Sequence, residues 1–349
     1  MFNQQLQTST EPAAVLPWQQ QIWQHWSRQL LQQQLPHAIL LTGPTGLGKR
    51  SLATALAHLL LCTNRVSSVE NSAQAELQPC GSCRSCQLIQ AGFHPDLHLL
   101  EPEAQGKALV IDQIRNLNAE VQKTAQQGGY KLVLIWPAEA LNTNAANALL
   151  KTLEEPEPLT QFVLVSSAPA KLPATLRSRC QTLVVKPPTQ IEGQAWLQQH
   201  LSDPAEAATL LQAAAGCPLQ ALKLADPTVV AATQLLTQAV EAVLQGEDPL
   251  DQVSSLKKLP LANLLTNLQN WLAESVRYLV KGSAGVRDTR QLAIYIQLAQ
   301  RLGAQHLLSF EQELAQLQQQ LAHNPNLDLF LENLLLSFSQ HLALAKQQE

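Results

Sequence analysis

The 349-residue chain is 46% hydrophobic, only 4% aromatic and 14% charged, with a formal net charge of −4. That length predicts two or three domains with sizeable cores, and the bulk of Leu, Ala and Gln favours helix. The acidic balance argues against a chain that grips DNA by itself, since such chains draw most of their affinity from a basic surplus; no apolar run reaches the ~18 residues of a membrane span. The opening segment MFNQQLQTSTEPAAVLPWQQ is polar and lacks the basic-then-apolar order of a signal peptide. The expected location is therefore cytoplasmic, where thiols stay reduced and clustered cysteines read as metal ligands before disulfides.

In chain order, a helix is expected over about Pro17 to Gln34, where WQQQIWQHWSRQLLQQQ spaces its apolar residues by three and four. Pro36 ends it. HAILLT (His37–Thr42) reads as a buried strand, followed by a Gly-rich turn and a helix over Arg50–Cys62. Residues 63–77 are polar and read as a loop. DLHLL (Asp96–Leu100) is a candidate strand, Ile111–Gln126 a helix, KLVLIW (Lys131–Trp136) a buried strand, Asn144–Glu155 a helix and QFVLVS (Gln161–Ser166) a third core strand. Strands alternating with helices predict an α/β domain with a parallel sheet. Pro187 and Pro188 mark a change of character: no strand pattern follows Ile191. Residues 1–186 thus form the α/β domain, 187–226 a small helical domain broken at Gly216–Pro218, and 227–349 a larger all-helical region. Its glutamines fall between leucines on helical faces and read as solvated surface.

GPTGLGK, with Gly43, Thr45, Gly46, Gly48 and Lys49, matches the G-x-x-x-x-G-K part of a phosphate-binding loop and lies between a strand and a helix as that motif requires. Glycines let backbone N–H groups turn toward phosphate oxygens, the helix N-terminus adds its dipole, and Lys49 adds charge. The next position departs from the motif. A Ser or Thr hydroxyl should bind Mg²⁺ there, but Arg50 offers only a repelling cation, and Ser51 is rotated by about 100° around the helix. The strand ending at Trp136-Pro137 also lacks the acidic residue that holds the metal; Glu139 is the nearest carboxylate and lies further along. Two losses at one site argue against hydrolysis while leaving binding of ATP or ADP open.

CGSCRSC brings Cys80, Cys83 and Cys86 together, and Cys62 ends the preceding helix. Four thiolates suit a closed structural Zn²⁺ site; an iron–sulfur cluster has similar ligand spacing and stands as the alternative. Cys180 and Cys217 stand alone and read as core residues. LRSRC sets two arginines, Arg177 and Arg179, at a strand–helix junction; an arginine there either makes an ordinary surface ion pair or is offered to a nucleotide on a neighbouring subunit, where it would stabilise charge on the transferring phosphate.

Taken together, GPTGLGK, CGSCRSC, NALLKTLEEP (Asn147–Pro156) and LRSRC (Leu176–Cys180) resemble the AAA+ clamp-loader subunits of bacterial DNA polymerase III. The resemblance implies an AAA+ domain followed by a helical lid (187–226) and an all-helical collar (227–349) that assembles the ring. It implies a subunit of the DNA-directed DNA polymerase (nucleotidyltransferase) holoenzyme that helps place a sliding clamp on primed DNA, with the gamma/tau motor subunits and the delta subunit as partners. Arg50 and Trp136-Pro137 set the chain apart from the motor branch and place it with the non-hydrolysing stator branch. By the same resemblance Arg179 is the finger that reaches the adjacent motor subunit's ATP, Cys62, Cys80, Cys83 and Cys86 are zinc ligands, and Gly43, Gly48 and Lys49 belong to a degenerate nucleotide site. The competing expectations are an autonomous ATPase motor, which requires Mg²⁺-dependent turnover by the chain alone, and a zinc-dependent nucleic-acid binder, which requires salt-sensitive DNA binding.

Overall fold

The computed structural model describes residues 15–67, 76–104, 106–127, 129–321 and 325–347. It divides into two units, Met1–Pro188 and Thr189–Glu349.

In the first unit a short 3₁₀ turn (Pro17–Gln19) leads into α1 (Gln20–Leu31), then β1 (Ala38–Thr42), α2 (Lys49–Leu61), the two-residue strands β2 (Val66–Ser67) and β3 (Leu77–Gln78), α3 (Arg84–Gln90) and β4 (Leu97–Leu100). Then come α4 (Ile111–Val121), β5 (Lys131–Ile135), α5 (Thr143–Glu154), β6 (Thr160–Ser166), α6 (Ala174–Arg177) and β7 (Gln181–Val184). Five strands form one sheet in the order β4-β5-β6-β1-β7, and every pairing in it is parallel. The central strands β1, β5 and β6 are buried along their whole length, as expected where helices cover both faces and the strands become continuous apolar runs. On one face Ile114, Leu117 and Val121 of α4 and Ala145, Leu149 and Leu153 of α5 close over Leu40, Val133, Ile135, Phe162 and Leu164. The apolar helix α2 packs against β1, β5 and β6.

The edge strand β7 is absent from the sequence expectation because its residues QTLV are mostly exposed and present no apolar run. The helix expected over Pro17–Gln34 is shorter and opens on the 3₁₀ turn. The expected loop 63–77 holds β2 and the first residue of β3, paired antiparallel.

The second unit contains no strand among the described residues. Helices α7 (Gln190–Gln198), α8 (Ala207–Ala213) and α9 (Pro218–Leu224) share a small core of Leu197, Leu210, Leu211 and Ala221. Helices α10 (Pro227–Gln245), α11 (Val253–Leu256), α12 (Leu261–Lys281), α13 (Leu292–Gln320) and α14 (Leu327–Lys346) bury a larger one that includes Trp271, Tyr295, Phe310 and Phe338. Non-helical angles at Gly303 (φ 64°, ψ 173°) divide α13.

Candidate functional site

The carboxyl ends of β1, β4, β5 and β6 lead to Gly43, Glu101, Trp136 and Ser167, and it is at this end of a parallel sheet that α/β folds receive ligands. Gly43 (φ 141°), Gly46 (φ 85°) and Gly48 (φ 74°) hold the turn in backbone angles that cost glycine little and other residues much. A Cβ on Gly43 would also lie 2.3 Å from the Val185 carbonyl oxygen. Thr45 is exposed in the turn. Lys49 is only 5% exposed; its Nζ donates to the carbonyl oxygens of Gly43 and Pro44, each at 2.7 Å, and to Ser167 Oγ at 3.0 Å. The turn is braced from outside as well. Trp18 Nε1 donates to the Leu47 carbonyl at 3.1 Å, and buried Gln19 donates from Nε2 to Leu47 at 2.7 Å and Gly48 at 3.0 Å.

Arg50, in the first turn of α2, forms an ion pair with Glu101, and its guanidinium carbon lies 4.4 Å from the centroid of the Trp136 ring. Burial pushes the Glu101 carboxyl above its ordinary range, and the Arg50 cation draws it partly back. A cation thus stands where the motif calls for a hydroxyl, stacked on the residue that follows β5. Glu139 Oε1 accepts the Ser167 N–H at 3.0 Å, so this carboxylate is tied to the exit of β6.

Arg179 follows α6. Its Nε donates to Glu154 Oε1 at 2.6 Å, its Nη1 donates to the Thr175 carbonyl at 2.8 Å, and Nη2 also pairs with Glu154. The guanidinium therefore lies on the surface, held by the last residue of α5. Next to it Cys180 is buried, which pushes its thiol up to about 11.

At the far end of α2, a helix about 20 Å long by its residue count, the four cysteine sulfurs all lie within 4.8 Å of one another. Cys62 Sγ is 3.6 Å from Cys80 Sγ and 3.9 Å from Cys83 Sγ. A tetrahedron with metal–sulfur bonds of ~2.3 Å has edges of about 3.8 Å, so the spacing fits one tetrahedral ion, and all four thiols are free of disulfides. Backbone N–H groups converge on them: Cys80 N donates to Cys62 Sγ at 3.3 Å and Cys83 N to Cys80 Sγ at 3.3 Å. Burial, the largest influence on Cys83, raises its thiol, but bonds from Thr63 and the Cys86 N–H outweigh it and bring the thiol down to about 5. Burial pushes Cys86 up to about 12. Donor set, spacing and N–H support together form a site able to hold a metal.

The structure therefore gathers Gly43, Gly46, Gly48, Lys49 and Arg50 in one cradle and the four cysteines in one centre, while the partners of Arg179 lie outside both. Sequence reasoning missed Glu101, Glu154, Ser167 and Gln19. Each sits just outside a motif or within it without a motif role, and only tertiary contact gives it a function.

The family profile described as "DNA polymerase III, delta subunit" matches residues 18–189, and its C-terminal counterpart matches 231–340. DNA polymerase III subunit delta' of Pseudomonas aeruginosa is 37% identical over 337 residues, covering 94% of this chain and 98% of the relative. The Escherichia coli delta' subunit is 32% identical, covering 88% and 90%. The E. coli tau subunit is 33% identical over 65% of this chain and 34% of its own length. A solved gamma-subunit-related protein from Thermotoga maritima aligns over 92% of this chain and 99% of its own at 17% identity, with a TM-score of 0.42. On the strength of delta' relatives that align along nearly their whole length, the chain belongs to the delta' subunits of DNA polymerase III, a branch of the clamp-loader family.

Proposed function

We propose that this clamp-loader subunit is a stator that hydrolyses no nucleotide itself and lends Arg179 to the ATP of an adjacent gamma/tau motor subunit, in a complex that also contains the delta subunit and loads a sliding clamp onto primed DNA. The observation that carries the reading is Arg50, paired with Glu101 and stacked on Trp136. A divalent cation entering there would meet the like charge of a guanidinium, and the residues after β5 are Trp136 and Pro137 in place of a carboxylate. The cradle retains Lys49 and its glycines, so phosphate contact without Mg²⁺-dependent turnover is the expected residual chemistry. The four-cysteine centre is assigned a structural Zn²⁺, which would pin the end of α2 to α3 and, with no open position, supply no catalysis. Residues 187–226 act as the lid and 227–349 as the collar through which the subunit joins the ring.

Arg179 lies on the surface beside Glu154, and its ion pair, partly exposed to water, holds it weakly. It is therefore free to exchange Glu154 for a transferring phosphate, where arginines supplied in trans contribute on the order of 10³–10⁵ to the rate of their site. The test is a reconstituted loader carrying Arg179→Ala. DNA-stimulated ATPase is expected to fall in part, because one interface is lost, and clamp loading more steeply; unchanged rates overturn the finger. Turnover by the pure, isolated chain would overturn the stator.

A further inference from the structure

Glu154 is the last residue of α5, and the segment it belongs to is anchored. The Leu153 side chain is buried in the core of the first unit, and the Leu153 carbonyl accepts the His37 Nε2–H at 3.0 Å. A carboxylate in the last turn of a helix faces the negative end of the macrodipole and is disfavoured there. Glu155 follows and is exposed as well. A cation held against Glu154 relieves that repulsion.

Arg179, two residues past the four-residue helix α6, supplies the cation. Its Nε and Nη2 both meet Glu154 Oε1, and the Thr175 carbonyl takes Nη1. Nε and Nη2 form a fork of parallel N–H groups that grips carboxylate and phosphate alike. With that fork turned to Glu154, a phosphate has to displace the carboxylate to be gripped the same way. The exchange is open to it, because the Arg179 and Glu154 side chains are 33% and 47% exposed, and water weakens such a pair.

We propose that Glu154 is a positioning residue that keeps Arg179 latched, so that the arginine acts only where a phosphate outcompetes the carboxylate. The proposal rests on the finger reading of Arg179 and adds its control. Until the adjacent subunit's nucleotide is within reach, Glu154 holds the guanidinium. When assembly on DNA brings the transferring phosphate close, the more highly charged anion takes the fork and Glu154 returns to water.

The experiment compares reconstituted loaders carrying Arg179→Ala, Glu154→Gln, Glu154→Asp, or Glu154→Gln together with Arg179→Ala, with ATPase measured in the presence and absence of primed DNA. Glu154→Gln removes the charge and keeps the shape. It is expected to raise the DNA-independent rate about two- to fivefold, the factor to which the ~0.4–1 kcal/mol of an exposed ion pair converts. The DNA-stimulated rate should change less, so stimulation by DNA shrinks. Glu154→Asp, which keeps the charge, should restore most of the stimulation. The rise should vanish in the double variant, because a latch acts only through the arginine it holds. In the isolated, isotope-labelled chain, the Arg179 Nε–H signal should lose its hydrogen-bonded shift in Glu154→Gln and keep it in Glu154→Asp. If Arg179→Ala slows the loader while Glu154→Gln leaves both rates unchanged, the latch is overturned and the finger stands. If Glu154→Gln slows both rates as Arg179→Ala does, Glu154 aligns the arginine during the reaction, which also overturns the latch. A rise that survives in the double variant does the same. If Arg179→Ala itself changes nothing, the finger reading falls and takes the latch with it.

Discussion

Arg50 concentrates the chemistry of the cradle in one side chain. Its pair with Glu101 and its stacking on Trp136 link α2 to the residues that follow β4 and β5, so restoring the motif's hydroxyl alone is not expected to create a motor. Arg50→Ser leaves Glu101 buried without its cation and leaves Pro137 in place. The isolated variant should show no ATP turnover above background in a coupled assay, and a lower melting temperature, because removing one partner of a partly buried ion pair leaves the other uncompensated. The sequence alone exposed Arg50 as a departure from the motif, because that position has a fixed chemical requirement. It did not expose Glu101 or Glu154, whose roles come from neighbours 51 and 25 residues away and from no local pattern.

At the scale of elements, legibility followed burial. β1, β5 and β6 are enclosed on both faces and wrote themselves into the sequence as unbroken apolar runs. β7, an edge strand with three of four residues exposed, needs no such run and left no signal. α3 was hidden by the cysteines it carries, since Cys83 serves as its N-cap, its sulfur accepting the Cys86 N–H at 3.5 Å. Cys62 after α2 and Cys80, Cys83 and Cys86 around the start of α3 come together, and a bound metal is expected to hold these segments. Stripping it with a chelator, or substituting Cys83→Ala, should lose about one zinc per chain by metal analysis and raise protease sensitivity around residues 63–90 before the sheet itself opens. Metal uptake should also depend on pH in a definite direction. Cys83, at about 5, is already a thiolate at neutral pH, whereas the Cys86 proton, with its thiol near 12, must be displaced by the incoming ion. Apparent zinc affinity, measured by competition with a chromogenic chelator, should therefore weaken steadily as the buffer is acidified and each ligand holds its proton more firmly.

For the molecule as a whole, the sequence led to three expected domains bounded at 186 and 226, whereas the structure divides into two units, Met1–Pro188 and Thr189–Glu349. The interruption of α13 at Gly303 was not visible, since one glycine in a Leu- and Gln-rich helix gives no sign of its backbone angles. With a net charge of −4, the chain alone should bind primed DNA weakly in a fluorescence-anisotropy titration, and tight, steeply salt-dependent binding would favour the nucleic-acid-module reading instead. The beginning of the described fold has a reach that its position does not advertise. Both Nε2 hydrogens of Gln19 are engaged by carbonyls of the loop, and its Oε1 takes the Leu16 N–H at 3.0 Å, so the amide is a wedge driven between the front of the polypeptide and the turn some thirty residues on. Replacing Gln19 with Ala would strip one donor each from the Leu47 and Gly48 carbonyls, and faster amide exchange across residues 43–49 in that variant, with the sheet strands still protected, would register the wedge's removal.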